Sequence, residues 1–239
     1  KQSNFSKIPG SPVAYWVGNA TLQAFNNHTI GEISEPRMGL TTGNNDYYLR
    51  LWFEVFIGAI GFRFSRELAK ASNLKWFPYN KGGEYRKWYG NQEYIVNWLN
   101  DGNEMQTKMH PDGNRIWAHN FNLDYNFKKH LTWNDLTSGS LSFRAFGDGF
   151  LFDSSAAVAF VPEEHYLFTL AYLNTKFVNE LSKLLNPTMH FKLGDFCKLP
   201  YLEKEKDIVI NLAIENVTIS ANDWDSYETS WDFKRNPLV

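Results

Sequence analysis

The sequence predicts an α+β fold: a mixed, mostly antiparallel, β-rich domain with a long helix after residue 162 and a C-terminal helix. Three observations carry this. Short aromatic and β-branched runs between residues 131 and 153 are separated by glycine-containing turns. After Pro162 the apolar period changes, so that Tyr166, Leu167, Leu170, Leu173, Phe177, Val178, Leu181, Leu184 and Leu185 recur at helical spacing. A second helical stretch spans about Glu203 to Ala221, with Ile208, Leu212, Ile214 and Val217 expected to face inward.

The elements follow in chain order. Ser11-Pro12 before Val13-Ala14-Tyr15-Trp16-Val17 sets a capping residue and a first-turn proline ahead of apolar residues, which predicts a helix through about Phe25. A small-residue loop, Arg37 to Asn45, leads into Tyr47–Val55, aromatic enough for a strand. Residues 64–71 fit a brief helix. Lys75–Tyr79 and Tyr94–Leu99 read as strands around the polar loop Asn80–Asn91. Residues 103–109 suit a helical turn, and 110–126, rich in Asn, Asp, Gly and His, read as loop. Strands are expected at 131–133, 141–145 and 150–153, with turns at Ser138-Gly139 and Gly147-Asp148-Gly149. Asn186-Pro187 ends the long helix. One compact unit over 1–222 is expected, with an acidic, aromatic tail at 223–239 reaching toward a further C-terminal region.

Composition excludes several classes. With 239 residues, 43% hydrophobic and 21% charged, the chain is globular rather than disordered. No apolar run approaches a transmembrane helix, so no membrane partner is expected and the location is expected to be cytoplasmic. The first residues have neither Met nor a signal-peptide stretch, so the chain is expected to start inside a longer protein. A single cysteine, Cys197, can form neither an internal disulfide nor a cysteine zinc site. The balance of 24 basic and 26 acidic residues does not advertise nucleic-acid binding. Residues 1–74 carry 7 basic and 5 acidic side chains, 75–145 carry 9 and 7, and 146–239 carry 8 and 14. Phosphate contacts, if any, are therefore expected in the first 145 residues.

Catalytic motifs are missing. Asn186-Pro187-Thr188-Met189 lacks the second proline and the aromatic of an amine-gripping Asn-Pro-Pro-aromatic motif. Gly147-Asp148-Gly149 lies between predicted strands, where a hairpin explains it better than a methyl-donor loop. Glu163-Glu164-His165 is expected at a helix start, where acids suit the dipole. No Walker loop, zinc-protease or nucleophile-elbow motif occurs.

Two sets of residues carry a family resemblance. Arg37-Met38-Gly39-Leu40-Thr41-Thr42-Gly43-Asn44-Asn45, with Asn186-Pro187-Thr188, Phe191, Gly194-Asp195 and Leu199-Pro200, resembles the segments that open and close the specificity domains of adenine methyltransferases and type II restriction-modification enzymes. Lys7–Pro12, the block Trp76–Asn91, Leu131-Thr132-Trp133 and Trp224-Asp225 with Thr229–Phe233 look like the PglX-type enzymes of BREX phage-defence systems. The resemblance implies a target-recognition region of a parent enzyme that methylates adenine N6 with S-adenosylmethionine. In that family the cofactor belongs to a preceding N-terminal methyltransferase domain of the same polypeptide, so this chain is expected to hold none and to be itself non-catalytic. Double-stranded DNA is the implied partner, with other BREX components as further candidates. Alternatives are a protein-interaction module docking defence components or phage inhibitors through the 223–233 segment, and an independent nuclease.

The candidate DNA-contact residues follow from side-chain chemistry. In the 80–91 loop, Lys81, Arg86 and Lys87 supply charge for phosphates or guanine edges, while Asn80, Asn91 and Gln92 donate and accept to adenine. Gly82 and Gly83 allow close backbone approach, and Tyr85, Trp88 and Tyr89 offer stacking faces. The competing reading packs Trp88 and Tyr89 under the loop and leaves Lys81 solvated. Arg37, Thr41, Thr42, Asn44 and Asn45 either contact DNA or build a tight turn. Asn114, Arg115, His119 and Asn120 lie in the most irregular segment, and Arg144 lies near a hairpin.

Overall fold

The computed structural model describes residues 8–10, 17–136 and 139–238. Two four-stranded sheets form its centre, which makes the fold α+β and mostly antiparallel. The first sheet has the order β1-β8-β5-β6, from Glu35–Arg37, Ala156–Phe160, His130–Asn134 and Arg144–Phe146. The second has the order β2-β4-β3-β7, from Leu49–Leu51, Tyr94–Asn97, Trp76–Asn80 and Leu151–Phe152, and its β3–β7 pair is parallel. The turn between β7 and β8 carries the chain from the second sheet to the first.

Each sheet has its own core. Leu131, Trp133, Phe143 and Ala159 of the first sheet and its flank pack against helices α6 (Glu163–Leu173), α7 (Lys176–Leu185) and α8 (Leu193–Cys197). Leu40, Phe77, Tyr79, Val96 and Trp98 form the second core, closed by α4 (Arg66–Ala71) and α5 (Leu99–Thr107). His130 lies between the two. Its ring stacks on Phe146 at 5.4 Å, its Nε2 accepts from the Asn80 amide at 3.2 Å, and its Nδ1 donates to the Lys128 carbonyl at 2.8 Å.

Several elements depart from the sequence expectation. Residues 11–16 of the predicted first helix lie outside the described residues, and helix α1 covers only Asn19–Ala24. Two further short helices, α2 (Ile30–Ile33) and α3 (Asn45–Tyr48), have too few residues to show a period. The strand expected over 47–55 shrinks to Leu49–Leu51 for local reasons. Asn44 caps α3 by accepting from the Tyr47 N–H, and the Glu54 carboxylate accepts from the Leu51 N–H, winding Trp52–Glu54 into a 3-10 turn. Strand β8, Ala156-Ala157-Val158-Ala159-Phe160, is alanine-rich and escapes a propensity reading. Its small side chains are what the centre of this sheet needs, since Trp133 and Leu131 pair with Ala157 and Ala159.

The long helix after 162 is broken in two at Asn174-Thr175. Asn174 turns its amide onto both the N–H and the carbonyl of Phe143, and Thr175 caps α7 by accepting from the Val178 N–H. Helix α9 (Lys206–Trp224) turns three of the four residues expected to face inward toward solvent, and only Val217 faces as expected. Ile208, Leu212 and Ile214 are exposed, whereas Val209, Ile210, Ala213 and Val217 pack toward the core. The helix carries two apolar stripes that periodicity cannot rank, and the fully buried Ala213 marks the one close to α6.

The segment after α9 folds back onto the second sheet. Trp224 and Ser230 are buried, the Trp52 indole donates to the Thr229 carbonyl at 2.8 Å, and Trp231 packs on Phe62 and Phe150. No helix among the described residues is long and apolar enough to cross a membrane.

Candidate nucleic-acid interface

The 37–45 loop shows why its residue types are spaced as they are. Leu40 is buried and pairs with the turn before β8, donating its N–H to Phe152 and accepting from Ser154. Gly39 lies so close to that turn that a Cβ would sit 2.2 Å from the Asp153 carbonyl oxygen. Gly43 has a φ of +75° and lies against the Trp117 ring, 2.4 Å from a built Cβ. The buried Thr42 hydroxyl donates to the Asn45 carbonyl oxygen at 2.6 Å, and Asn44 is the α3 cap. Arg37 binds Glu35 and the Tyr125 hydroxyl and stacks over the Tyr125 ring. In this loop Gly39, Leu40 and Thr42 are buried, Met38 and Asn45 are exposed, and Arg37, Thr41, Gly43 and Asn44 keep part of their surface. Because its neighbour is backbone that cannot yield, Gly39→Ala is expected to cost about 3 kcal/mol of folding stability, measured by denaturant unfolding.

The 80–91 block is held equally firmly. Asn80 is buried against His130. The Lys81 ammonium meets the buried Asp153 carboxylate at 2.7 Å, which also accepts from Tyr79, Ser155 Oγ and the Ser155 N–H. Burial, then the Asp153 charge, pushes the Tyr79 hydroxyl well above its usual range. Gly82 is buried beside Asn134, and the Gly83 carbonyl accepts from the Asn134 amide. Arg86 pairs with Asp223 at 2.8 Å and stacks over Trp224. Lys87 donates to the Asn174 carbonyl, and burial lowers its pKa. Trp88 runs beside β6, exchanging backbone hydrogen bonds with Phe143 and Ala145, and packs on the first core. Asn91, at φ +59°, donates to the Glu84 carbonyl. Tyr85 stands apart at 60% exposed, with Gly83 and Glu84 beside it at the surface.

Arg144 is wholly buried. Its guanidinium donates to the Arg86 carbonyl, Ser142 and Asn134, and it meets no carboxylate among the described residues. Burial, with Arg86 nearby, lowers its pKa to about 10. The chain Arg144–Asn134–Gly83 therefore fixes the tip of the 80–91 loop from below, so Arg144 offers the surface none of its charge. Replacing Arg144 with alanine is expected to leave Asn134 and the Arg86 carbonyl short of donors. Faster proteolytic cleavage within 80–91, against an unchanged cleavage rate at α9, checks this.

The irregular 110–120 segment joins the same side of the molecule. Thr41 and His119 exchange backbone hydrogen bonds, the Thr41 hydroxyl donates to Ser154, and Asn122 donates to the Met38 carbonyl. Asn114, Arg115, His119 and Asn120 are all exposed. The structure thus links the 41–45 loop, the 81–85 tip, the 110–120 segment and the 153–155 turn through the Thr41–His119, Thr41–Ser154 and Lys81–Asp153 contacts, a loop cluster termed the ridge below. Asn134, Asp153 and Ser154–Ser155 are the linking residues that sequence reasoning missed. They sit in strands and a turn far apart in the chain, and no local pattern marks them. Beside the ridge, Gly83, Tyr85, Asn134, Leu136 and Ser142 line an open cleft of about 460 Å³.

Other expectations resolve locally. Glu163 pairs with Lys129 at 2.8 Å, and no group of three metal-ligating side chains occurs among the described residues. Gly147-Asp148-Gly149 joins β6 to β7, strand to strand, with Gly149 packed against the Arg63 backbone. These residues do not form the strand-to-helix turn that a methyl donor needs. Cys197 is a free thiol whose pKa is raised by burial.

No protein-family model matches the chain. Against characterised proteins it is 39% identical over 242 residues to the adenine-specific methyltransferase PglX of Lacticaseibacillus casei (strain Zhang), covering 100% of this chain and 20% of that protein. It is 35% identical over 248 residues to the adenine-specific methyltransferase BrxX of Escherichia coli O9:H4 (strain HS), covering 100% of this chain and 19% of that protein. The chain is therefore related along its whole length to a segment of the PglX and BrxX adenine-specific methyltransferases, and spans about one fifth of them.

Proposed function

We propose that this chain reads duplex DNA sequence for a site-specific adenine-N6 methyltransferase of the BREX type. The S-adenosylmethionine chemistry then belongs to a methyltransferase domain elsewhere in the same polypeptide. The observation that carries the reading is the ridge. Loops from four separate parts of the chain converge on it, in a protein related to adenine-specific methyltransferases and without a methyl-donor turn of its own among the described residues.

Within the ridge, Tyr85, Asn114, Arg115, His119 and Asn120 have exposed side chains suited to base edges and phosphates. Arg37, Thr42, Asn44, Asn80, Lys81, Asn91 and Arg144 support it from within through the contacts described above. The protein-docking alternative rested on the aromatic 223–233 segment. That segment uses Trp224 and Trp231 inside this chain, which weakens the alternative.

The test exchanges residues 110–120 together with 83–85 for those of a relative, within the full-length methyltransferase, and maps methylated adenines by sequencing. The expected result is a changed methylated sequence. An unchanged sequence at unchanged efficiency would remove base reading from these loops. Replacing Arg115 alone with alanine is expected to lower methylation at the native site about tenfold or more, since one good base contact is worth ~1–3 kcal/mol.

A further inference from the structure

Residues of the 76–91 block and of the 224–233 segment meet at a second cleft that shares no lining residue with the ridge. It has a volume of about 600 Å³ and is walled by Tyr89, Phe150 and Trp231, with Gln92, Asp148 and Arg63 supplying its polar groups. The size is that of a small-molecule pocket. Trp231 packs on Phe62, which also lines the cleft, at a centroid distance of 5.0 Å. Tyr89 lines the cleft, and among the described residues its ring meets no other aromatic side chain.

Gln92 is the unusual group. It is 4% exposed and lines the cleft, no protein hydrogen bond to its side-chain amide occurs among the described residues, and the amide is not sealed from solvent, so the surface it keeps is open to a ligand. Buried amides are ordinarily paired, and one left open toward a cavity is placed to meet a ligand.

We propose that this cleft is a nucleobase pocket that takes an unstacked adenine ring. The open amide has one acceptor and a donor pair, matching the N6 amine and N7 of adenine. The Hoogsteen edge of guanine presents two acceptors and would call on Arg63, which lies 3.5 Å from Asp232. Asp148 and Asp232 at the rim disfavour a phosphate in the cleft and suit an exocyclic amine. Tyr89 and Trp231 supply stacking surface, each such contact being worth roughly 1–3 kcal/mol. The ring belongs either to a nucleic-acid strand or to a free nucleoside, and the two sources share this chemistry.

The test titrates the whole chain with adenosine, with guanosine, and with a short thymine oligonucleotide carrying one adenine or one abasic position. Calorimetry gives the affinity, and the Trp231 indole N–H resonance reports occupancy. Binding by adenosine or by the adenine oligonucleotide, with guanosine and the abasic strand weaker, is the expected result. Adenosine alone binding points to a free nucleoside, and the oligonucleotide alone to a nucleic-acid base. Gln92→Leu, which keeps the side-chain volume, is expected to weaken adenine binding about tenfold, and Tyr89→Ala at least as much. Both variants are checked for native thermal unfolding. The proposal is overturned if no adenine ligand shifts the Trp231 resonance, if the abasic strand binds equally well, or if folded Gln92→Leu binds unchanged.

Discussion

Replacing Trp133 with alanine will destabilise the protein by about 3–5 kcal/mol, enough to consume much of a typical domain's stability. The indole is fully buried, stacks on Phe196 at 4.4 Å and packs on Phe143 at 5.7 Å. Its Nε1 also donates to the Phe191 carbonyl at 3.0 Å. Removing it opens a cavity where strand β5 meets the α7–α8 connection. Trp133→Phe keeps most of the stacking but strands the Phe191 carbonyl, and is expected to cost only about 1–2 kcal/mol. Urea unfolding of both variants measures the difference. A Trp133→Ala loss below about 1 kcal/mol would mean that the first core is not closed through this residue.

Acidification from pH 7 to 4 will remove about 3 kcal/mol of stability through His130 alone. Burial lowers the imidazole pKa from 6.5 to about 4, partly opposed by the Lys128 carbonyl that favours the protonated ring. Above pH 6.5 the ring is neutral in both states and no penalty exists. Between 6.5 and 4 the unfolded chain takes up a proton that the folded chain refuses, so stability falls as pH falls. The slope approaches about 1.4 kcal/mol per pH unit. Carboxylates add their own loss near pH 4, so the readout is the difference between the wild type and His130→Asn over pH 6.5 to 5. The variant starts less stable and is expected to show a flatter profile there. Parallel profiles would show that His130 titrates normally and that the junction between the sheets admits water.

The sequence and the tertiary structure contributed different parts of this account. Strands β3 and β5 and helices α4, α6, α7 and α9 were legible, because each is a sustained periodic run or carries its own cap, with α6 and α7 read as one helix; α8, only five residues long, was not. The relation to adenine-specific methyltransferases was legible too, in the 37–45 loop, the 76–91 block and the closing segment. Trp133 ties a further stretch of the resemblance to the closing segment: the indole from Leu131-Thr132-Trp133 sits on Phe196 and bonds Phe191.

What the residues of those stretches do was decided by the tertiary structure. Residue type marks Arg144, Lys81 and Asn80 as DNA ligands, but Arg144 and Asn80 are buried against Asn134 and His130, and the half-buried Lys81 is paired with Asp153. The facing of α9 was likewise open, since two apolar stripes share one helix and only the approach of α6 selects between them. Residue chemistry and local order are written along the chain, whereas exposure and partnership depend on contacts between residues tens to more than a hundred positions apart. The ridge exists only through such contacts, Thr41 to Ser154 and Gly83 to Asn134 among them.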